Sequence, residues 1–296
     1  MSRSEDRLDV VIPARAEGDR ISACLRALLA DDAGLRLRVI VVINGEEAET
    51  TEAAVEAFVA PFAAAGHDLL ITHSGVGKAR ALNAGDALRR DGLVMYLDAD
   101  AVVLPGLLGQ VREVFADETA PTLACPRPRV VEGRSLANRA FVRVWSDLPI
   151  IREGVIGGGC YAVNAAGRGL WTTFPEIAGD DAFVCALFPP ERRIALSPAA
   201  VRLIFPERWQ DLVVLRARWR RSTREGATAA LAVRAAREGG APRPHPAHPG
   251  ASRWSTLLSP RLFGSVPLYL AIDLAARAVN RWWPGRSATA DWRPLR

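Results

Sequence analysis

Lysine is all but missing from this chain. Lys78 is the only lysine among 38 Lys and Arg residues in 296. An arginine bias of that size reflects coding preference, so the one retained lysine marks a position to follow. Cysteine is scarce as well. Cys24, Cys125, Cys160 and Cys185 form no CxxC pair, which gives neither a zinc pattern nor a disulfide framework and points to a reducing cytoplasm. The N-terminus MSRSEDRLDV has no apolar leader run. The C-terminal tail has no run long enough to span a bilayer: its longest uncharged stretch, Leu262–Ile272, is 11 residues and contains Pro267. No internal repeat is present. Aromatics are not interleaved with a basic stripe, so nucleic acid is not an expected partner.

What the chain does have is apolar mass and an uneven charge. At 49% hydrophobic, it can bury a large core. From Glu207 onward there are 16 arginines against six acids, a net +10, which leaves residues 1–206 at −5. A basic C-terminal third suits anionic partners, phosphates or a lipid surface.

The first hundred residues alternate short apolar runs with helical periodicity. Runs 8–13, 37–43, 68–73 and 93–98 read as strands, and 20–30, 49–66 and 78–90 as helices. Strand–helix alternation predicts a doubly wound α/β sheet with ligands at the carboxyl ends of its strands. Ala14–Glu17, residues 44–46, His73–Lys78 and Asp98–Asp100 then share one edge. Beyond residue 103 the pattern predicts a helix over 104–117, a short strand in TLACP, and a helix over 134–145. It continues with a glycine-led strand over 157–164, a helix over 179–188, two strands in RIALSP and AVRLIF, and a basic helix. GGAPRPHPAHPGAS (239–252) is a proline-rich linker. The expected organisation is a nucleotide-binding half (1–103), a second half of the same domain (104–226), a helix and linker (227–253), and a basic, Trp-rich tail (254–296). Trp282, Trp283 and flanking arginines fit an interfacial membrane anchor and fit equally a helix docked on the core.

Three constellations carry chemistry. VMYLDADAVV ends an apolar strand with Asp98 and Asp100, whose side chains share one side of the chain. Such a pair can hold a divalent cation whose shell is completed by water and phosphates; it can also cap a helix starting near Pro105. Gly179-Asp180-Asp181 offers a carboxylate as a base, or a helix N-cap. GVGKARALN (75–83) is a glycine turn entering a helix, where backbone N–H groups with Lys78 and Arg80 meet a diphosphate.

In this order, VVIPARAEGDRISACLRALL, VIVVING, GVGKARALNAG, VMYLDADAVVLPG, GGGCYAV, GDDAFV and LRARWRRS resemble the family 2 glycosyltransferases of the GT-A fold, over about residues 8–225. The resemblance implies a Rossmann-like doubly wound mixed sheet with a C-terminal helical tail. It also implies a nucleotide-diphosphate-sugar donor, a Mg2+ or Mn2+ ion, and inverting transfer to an acceptor hydroxyl, lipid-linked or of a cell-envelope glycan. By position, Pro13, Ala14, Arg15 and Glu17 match the loop touching base and ribose. Asn44 stands where the family has an aspartate on the base. Lys78, Arg80 and Asn83 lie beside the nucleotide. Asp98 and Asp100 match the metal-binding acids, with Asp100 as the direct ligand. Asp181 matches the base that deprotonates the acceptor, and Asp180 replaces the glutamate before it. Gly158, Gly159, Arg216, Arg218 and Trp219 fall on the acceptor or diphosphate side. Leu215 replaces the glutamine of the processive synthases' Gln-x-x-Arg-Trp motif, which argues against a processive polymerase.

Competing readings remain. A haloacid-dehalogenase phosphatase shares the DxD run but needs a lysine between its two acidic motifs, and Lys78 precedes both. A sugar nucleotidyltransferase shares the opening but continues with a lysine, where CLRALL stands here. A catalytically silent scaffold is the third.

Overall fold

The computed structural model describes residues 7–31, 33–45, 49–90, 92–152, 158–240, 242–245 and 256–282. Gly157, the linker from 246 to 252, Trp283 and the rest of the tail lie outside the described residues.

Four strands open the chain: β1 (Arg7–Ala14), β2 (Arg36–Asn44), β3 (Asp68–Ser74) and β4 (Leu93–Leu97). They are connected by α1 (Asp19–Ala30), α2 (Glu49–Glu56) with α3 (Val59–Ala64), and α4 (Lys78–Asp86). All four pair in parallel, as the helical crossovers require. The two-residue β5 (Val102–Val103) and α5 (Leu107–Phe115) lead to β6 (Leu123–Val131), α6 (Leu136–Asp147) and the short α7 (Pro149–Arg152). Then come β7 (Cys160–Val163), α8 (Ala165–Arg168), α9 (Asp180–Leu187), β8 (Arg193–Ile204), α10 (Trp209–Glu238) and α11 (Val266–Trp282). The eight strands form one mixed sheet in the order β3-β2-β1-β4-β7-β6-β8-β5, with β7 antiparallel to both β4 and β6.

Strands buried on both faces explain the continuous apolar runs. Val10, Ile12, Val39, Val41, Met95 and Leu97 join one core with α1 and α5, while Val11, Ile40, Val42, Val94 and Tyr96 join the other with α4 and α9. A third core packs α6, the first half of α10, and α11.

Three expectations are corrected. Residues 49–66 form two helices, because Pro61 has no N–H to return to Ala57. RIALSP and AVRLIF form one strand, β8, whose pairing to β6 shifts register at Pro126/Arg127. The short strand in TLACP extends to Val131. Past Ala124, β6 pairs only with β8 among the described residues. Pro126 and Pro128, two apart, turn their missing N–H toward the same unpaired side, where proline is tolerated. The basic helix expected over 208–226 and the helix expected after it form one continuous helix, α10, ending at Glu238.

Candidate active site

The parallel ends of β1, β2, β3 and β4 bring Glu17, Asn44, Lys78 and Asp98–Asp100 to one edge of the sheet. Beyond Leu97 the chain turns sharply. Asp98 N–H donates to the Gly159 carbonyl at 2.8 Å and Ala101 N–H to the Asp98 carbonyl at 3.0 Å. Capping of the next helix is done by another residue. Asp31, at the end of α1, accepts from Gly106 N–H at 2.7 Å and Leu108 N–H at 2.9 Å. Asp98 and Asp100 are thereby left facing a cavity of about 1550 Å3, whose lining also includes Pro13, Glu17, Lys78, Gly158, Gly159, Asp180 and Asp181.

Lys78 ties this edge to α9. Its ammonium lies 2.6 Å from Asp98 Oδ1 and 2.7 Å from Asp180 Oδ1. Burial works against the charged amine, but Asp180, Asp98 and Asp181 outweigh it and hold Lys78 above the usual lysine range. Asp180 is buried and accepts from the Tyr161 hydroxyl at 2.9 Å. Asp181, one residue on, is less buried and accepts from Ala182 N–H at 2.7 Å. Burial and the neighbouring Asp180 push its carboxyl up. Both acids sit in the first turn of α9, where the helix dipole favours negative charge.

The opposite wall is crowded with carboxylates. Burial, then Lys78 in the opposite sense, then Asp180 and Asp100 leave Asp98 pushed up to about 6. Glu17 is pushed up to about 8, chiefly by burial and then by Asp100. Its Oε2 is buried and has no hydrogen-bond partner among the described residues; Arg20 pairs with it at 3.8 Å.

The other residues expected on the donor side lie behind the edge. Asn44 Nδ2 donates to Ser74 Oγ and to the Gly75 and Gly77 carbonyls, and its Oδ1 accepts from Gly77 N–H at 3.1 Å. An aspartate there would turn its second oxygen toward two carbonyls, so the departure from the family's aspartate matches what this loop requires. Asn83 exchanges two hydrogen bonds with the Phe174 backbone. Arg80 pairs with Glu176 at 2.8 Å. Ala14 is buried in the core and Arg15 lies beside Gly45. These five residues do not line the cavity.

On the far side, Arg216, Arg218 and Trp219 line it. Arg216 is bound to Asp273 of α11 at 2.8 Å, and Trp219 stacks among Phe141, Trp145 and Phe205.

With this geometry in place, a family model described as glycosyl transferase family 2 matches residues 9–168, more than half of the chain. The chain belongs to that family. Similar solved structures include a mannosyltransferase, PcManGT, from Pyrobaculum calidifontis in complex with GDP-Man and Mn2+. It is 18% identical with a TM-score of 0.57, over 95% of this chain and 88% of that one. S. aureus TarS 1-349 in complex with UDP-GlcNAc is 13% identical with a TM-score of 0.47, over 93% and 92%. Among curated proteins no sequence matches. The fold is GT-A, and family membership decides for glycosyl transfer over nucleotidyl transfer.

Sequence reading of this glycosyltransferase missed Tyr161, Asp31 and Asp273. Tyr161 follows the glycine run and gave no motif of its own. Asp273 is buried and bound by Arg216, Arg220 and Arg277. Arginine bonds outweigh burial and hold its carboxyl below the usual range. Only the fold brings helices 209–238 and 266–282 together to make that cluster. Tyr269, Ile272 and Ala276 are buried on the same face, so α11 docks on the core. No helix among the described residues is long and apolar enough to cross a membrane.

Proposed function

We propose that this glycosyltransferase moves a sugar, with inversion, from a nucleotide-diphosphate-sugar to an acceptor hydroxyl, with a Mg2+ or Mn2+ ion. The observation that carries the reading is one cavity lined by Asp98 and Asp100 on one wall and Asp181 on the other, bridged by Lys78.

The donor set fits a hard cation. Asp98 and Asp100 present carboxylate oxygens, and Glu17, whose Oε2 has no hydrogen-bond partner among the described residues, can give up its tightly held proton to a bound cation and add negative charge there. Asp100, exposed toward the cavity, and Asp98 would hold the ion. When bound, it supplies charge neutralisation at the leaving diphosphate. Pro13 and Glu17 line the donor end, and Lys78 carries a fixed positive charge for phosphate oxygens. Asp181, raised above the usual carboxylate range, takes the acceptor's proton as its oxygen attacks C1. The C1–O bond to the diphosphate then breaks on the opposite face. Gly158 and Gly159 leave the floor between donor and acceptor open.

The chain works in the cytoplasm in this reading, touching a membrane surface through the outer face of its tail. Phe263, Leu274 and Trp282 are 82%, 62% and 80% exposed there.

Incubation with GDP-Man, UDP-GlcNAc and other nucleotide sugars, with and without Mn2+, tests the assignment. Slow metal-dependent release of nucleoside diphosphate is expected. Pyrophosphate formation from a nucleoside triphosphate, or silence with every donor, would refute it.

A further inference from the structure

The cavity is larger than one sugar nucleotide needs. Ligand pockets run to roughly 300–1,000 Å3, against about 1550 Å3 here. Its chemistry changes along its length. The donor end is carboxylates and Lys78, whereas the other arm is walled by Trp145, Ile151, Phe205, Leu215, Trp219 and Tyr269.

Helix α10 gives that arm a direction. Ser222 abuts Gly179, directly before the catalytic acids; a Cβ built on Gly179 would lie 2.6 Å from Ser222 Cβ. Arg218 lies one turn back, close enough to Asp181 to offset a little of the rise that burial and Asp180 impose on its carboxyl. Leu215 lies almost another turn further, about 10 Å from Ser222 at 1.5 Å per residue. Moving away from the acids, the wall therefore reads cation first and hydrocarbon after. Exposed apolar side chains also line the cavity: Ile204 is 80%, Leu274 62% and Leu270 38% exposed, with Glu207, Arg208 and Arg277 in the same lining.

The arginines of this arm divide into two sets. Arg216 and Arg277 are bound to Asp273, and Arg193 donates to the Phe188 carbonyl. Arg202, Arg208 and Arg218 line the cavity and have no salt bridge among the described residues. Guanidiniums without a salt bridge beside an apolar wall complement an anion that carries a hydrocarbon chain.

We propose that the acceptor is an anionic amphiphile. Its charged, hydroxyl-bearing head sits at Arg218 and Arg202, and its chain lies along Leu215 and Trp219 toward Leu270 and Leu274. This rests on the transferase reading above. The head's oxygen forms the bond to the sugar C1, its proton passes to Asp181, and the electron pair of the broken C1–O bond leaves with the diphosphate.

The test is direct binding to the full-length protein without donor or metal, with dodecyl phosphate below its micelle concentration, dodecanol and inorganic phosphate as probes. Dodecyl phosphate is expected to bind at least tenfold more tightly than either fragment. Arg218→Gln and the exposed-rim variant Leu274→Asp should each weaken it at least fivefold while leaving the circular-dichroism melting curve in place. Added nucleoside diphosphate should not displace it. Equal binding of dodecanol, equal binding of inorganic phosphate, indifference to both variants, or displacement by nucleotide would each overturn the proposal. The titration involves no turnover, so its failure leaves sugar transfer standing. Failure of every donor to react leaves the titration's answer standing.

Discussion

Lys78 and Asp180 meet at 2.7 Å, joining the helix that follows β3 to the helix that carries the base candidate. The same ammonium reaches Asp98 at 2.6 Å, so one side chain compensates two walls of the cavity. Lys78→Met should lower unfolding free energy by about 3–5 kcal/mol, the usual cost of breaking a buried pair by removing one partner. It should also abolish nucleoside diphosphate release. Urea denaturation and the release assay measure the two effects separately.

Asp181 and Asp180 are adjacent but differently placed, and their variants should differ. Asp181→Asn should reduce kcat by about 10^2–10^4, the range for a lost general base, with donor affinity nearly unchanged. Asp180→Asn should act through Lys78 and Tyr161 instead, lowering stability and donor affinity together. An active Asp181→Asn enzyme would show the base to be elsewhere.

The pH profile of stability follows from Glu17. Its carboxyl rises from an ordinary 4.5 to about 8 in the folded protein, so the folded state holds this proton more tightly than the unfolded chain does. Stability without ligand should therefore fall as pH rises from about 4.5 through about 8. Asp98, pushed from 3.8 to about 6, adds to the fall over the lower window. Glu17→Gln should flatten the upper part of the curve. At pH 8 the variant should melt above the wild type, by roughly 2–4 °C for each kcal/mol of relief. The same variant should bind Mn2+ and donor less well. Thermal melts between pH 5 and 9 decide it.

Asn44→Asp restores the family's residue and should nevertheless do harm here. The carboxylate cannot donate to the Gly75 and Gly77 carbonyls, so the turn before Lys78 should loosen. A loss of about 1–3 kcal/mol is expected, with a raised KM for donor.

Asp273→Asn removes the acid that three arginines share. A stability loss of about 2–4 kcal/mol is expected from that buried, hydrogen-bonded charge. Because α11 is part of a core, deleting residues 254–296 should expose apolar surface and cause aggregation. Membrane binding is better tested by vesicle co-sedimentation of Phe263→Ser and Trp282→Ser, which alter only exposed side chains.

The parallel half of the sheet was legible because each of its strands is a mostly apolar run, broken by no more than a residue or two such as Asp9 or Arg38, and ended by a breaker or a polar residue. Asp98–Asp100, Asp180–Asp181 and Lys78 were legible as types in an order. Their meeting was not, since Lys78 and Asp180 are separated by 102 positions and only the β4–β7 pairing brings them together. Prolines misled the reading of β6 and β8: a missing N–H excludes a strand only where a partner waits for it. The split between anchor and docked tail could not be read either. Asp273 looks like any helix charge until Arg216 and Arg220 are placed opposite it.

Gly179 and Gly226 have a mechanical consequence. Each sits where an added Cβ would lie 2.6 Å from its neighbour, Ser222 Cβ for one and the Phe183 backbone nitrogen for the other. With bare backbone between α9 and α10, no side-chain rotamer is available there to take up slack. The two helices form a stiff lever. A Cβ added at either glycine would have to push α9, which carries Asp181 in its first turn, away from α10.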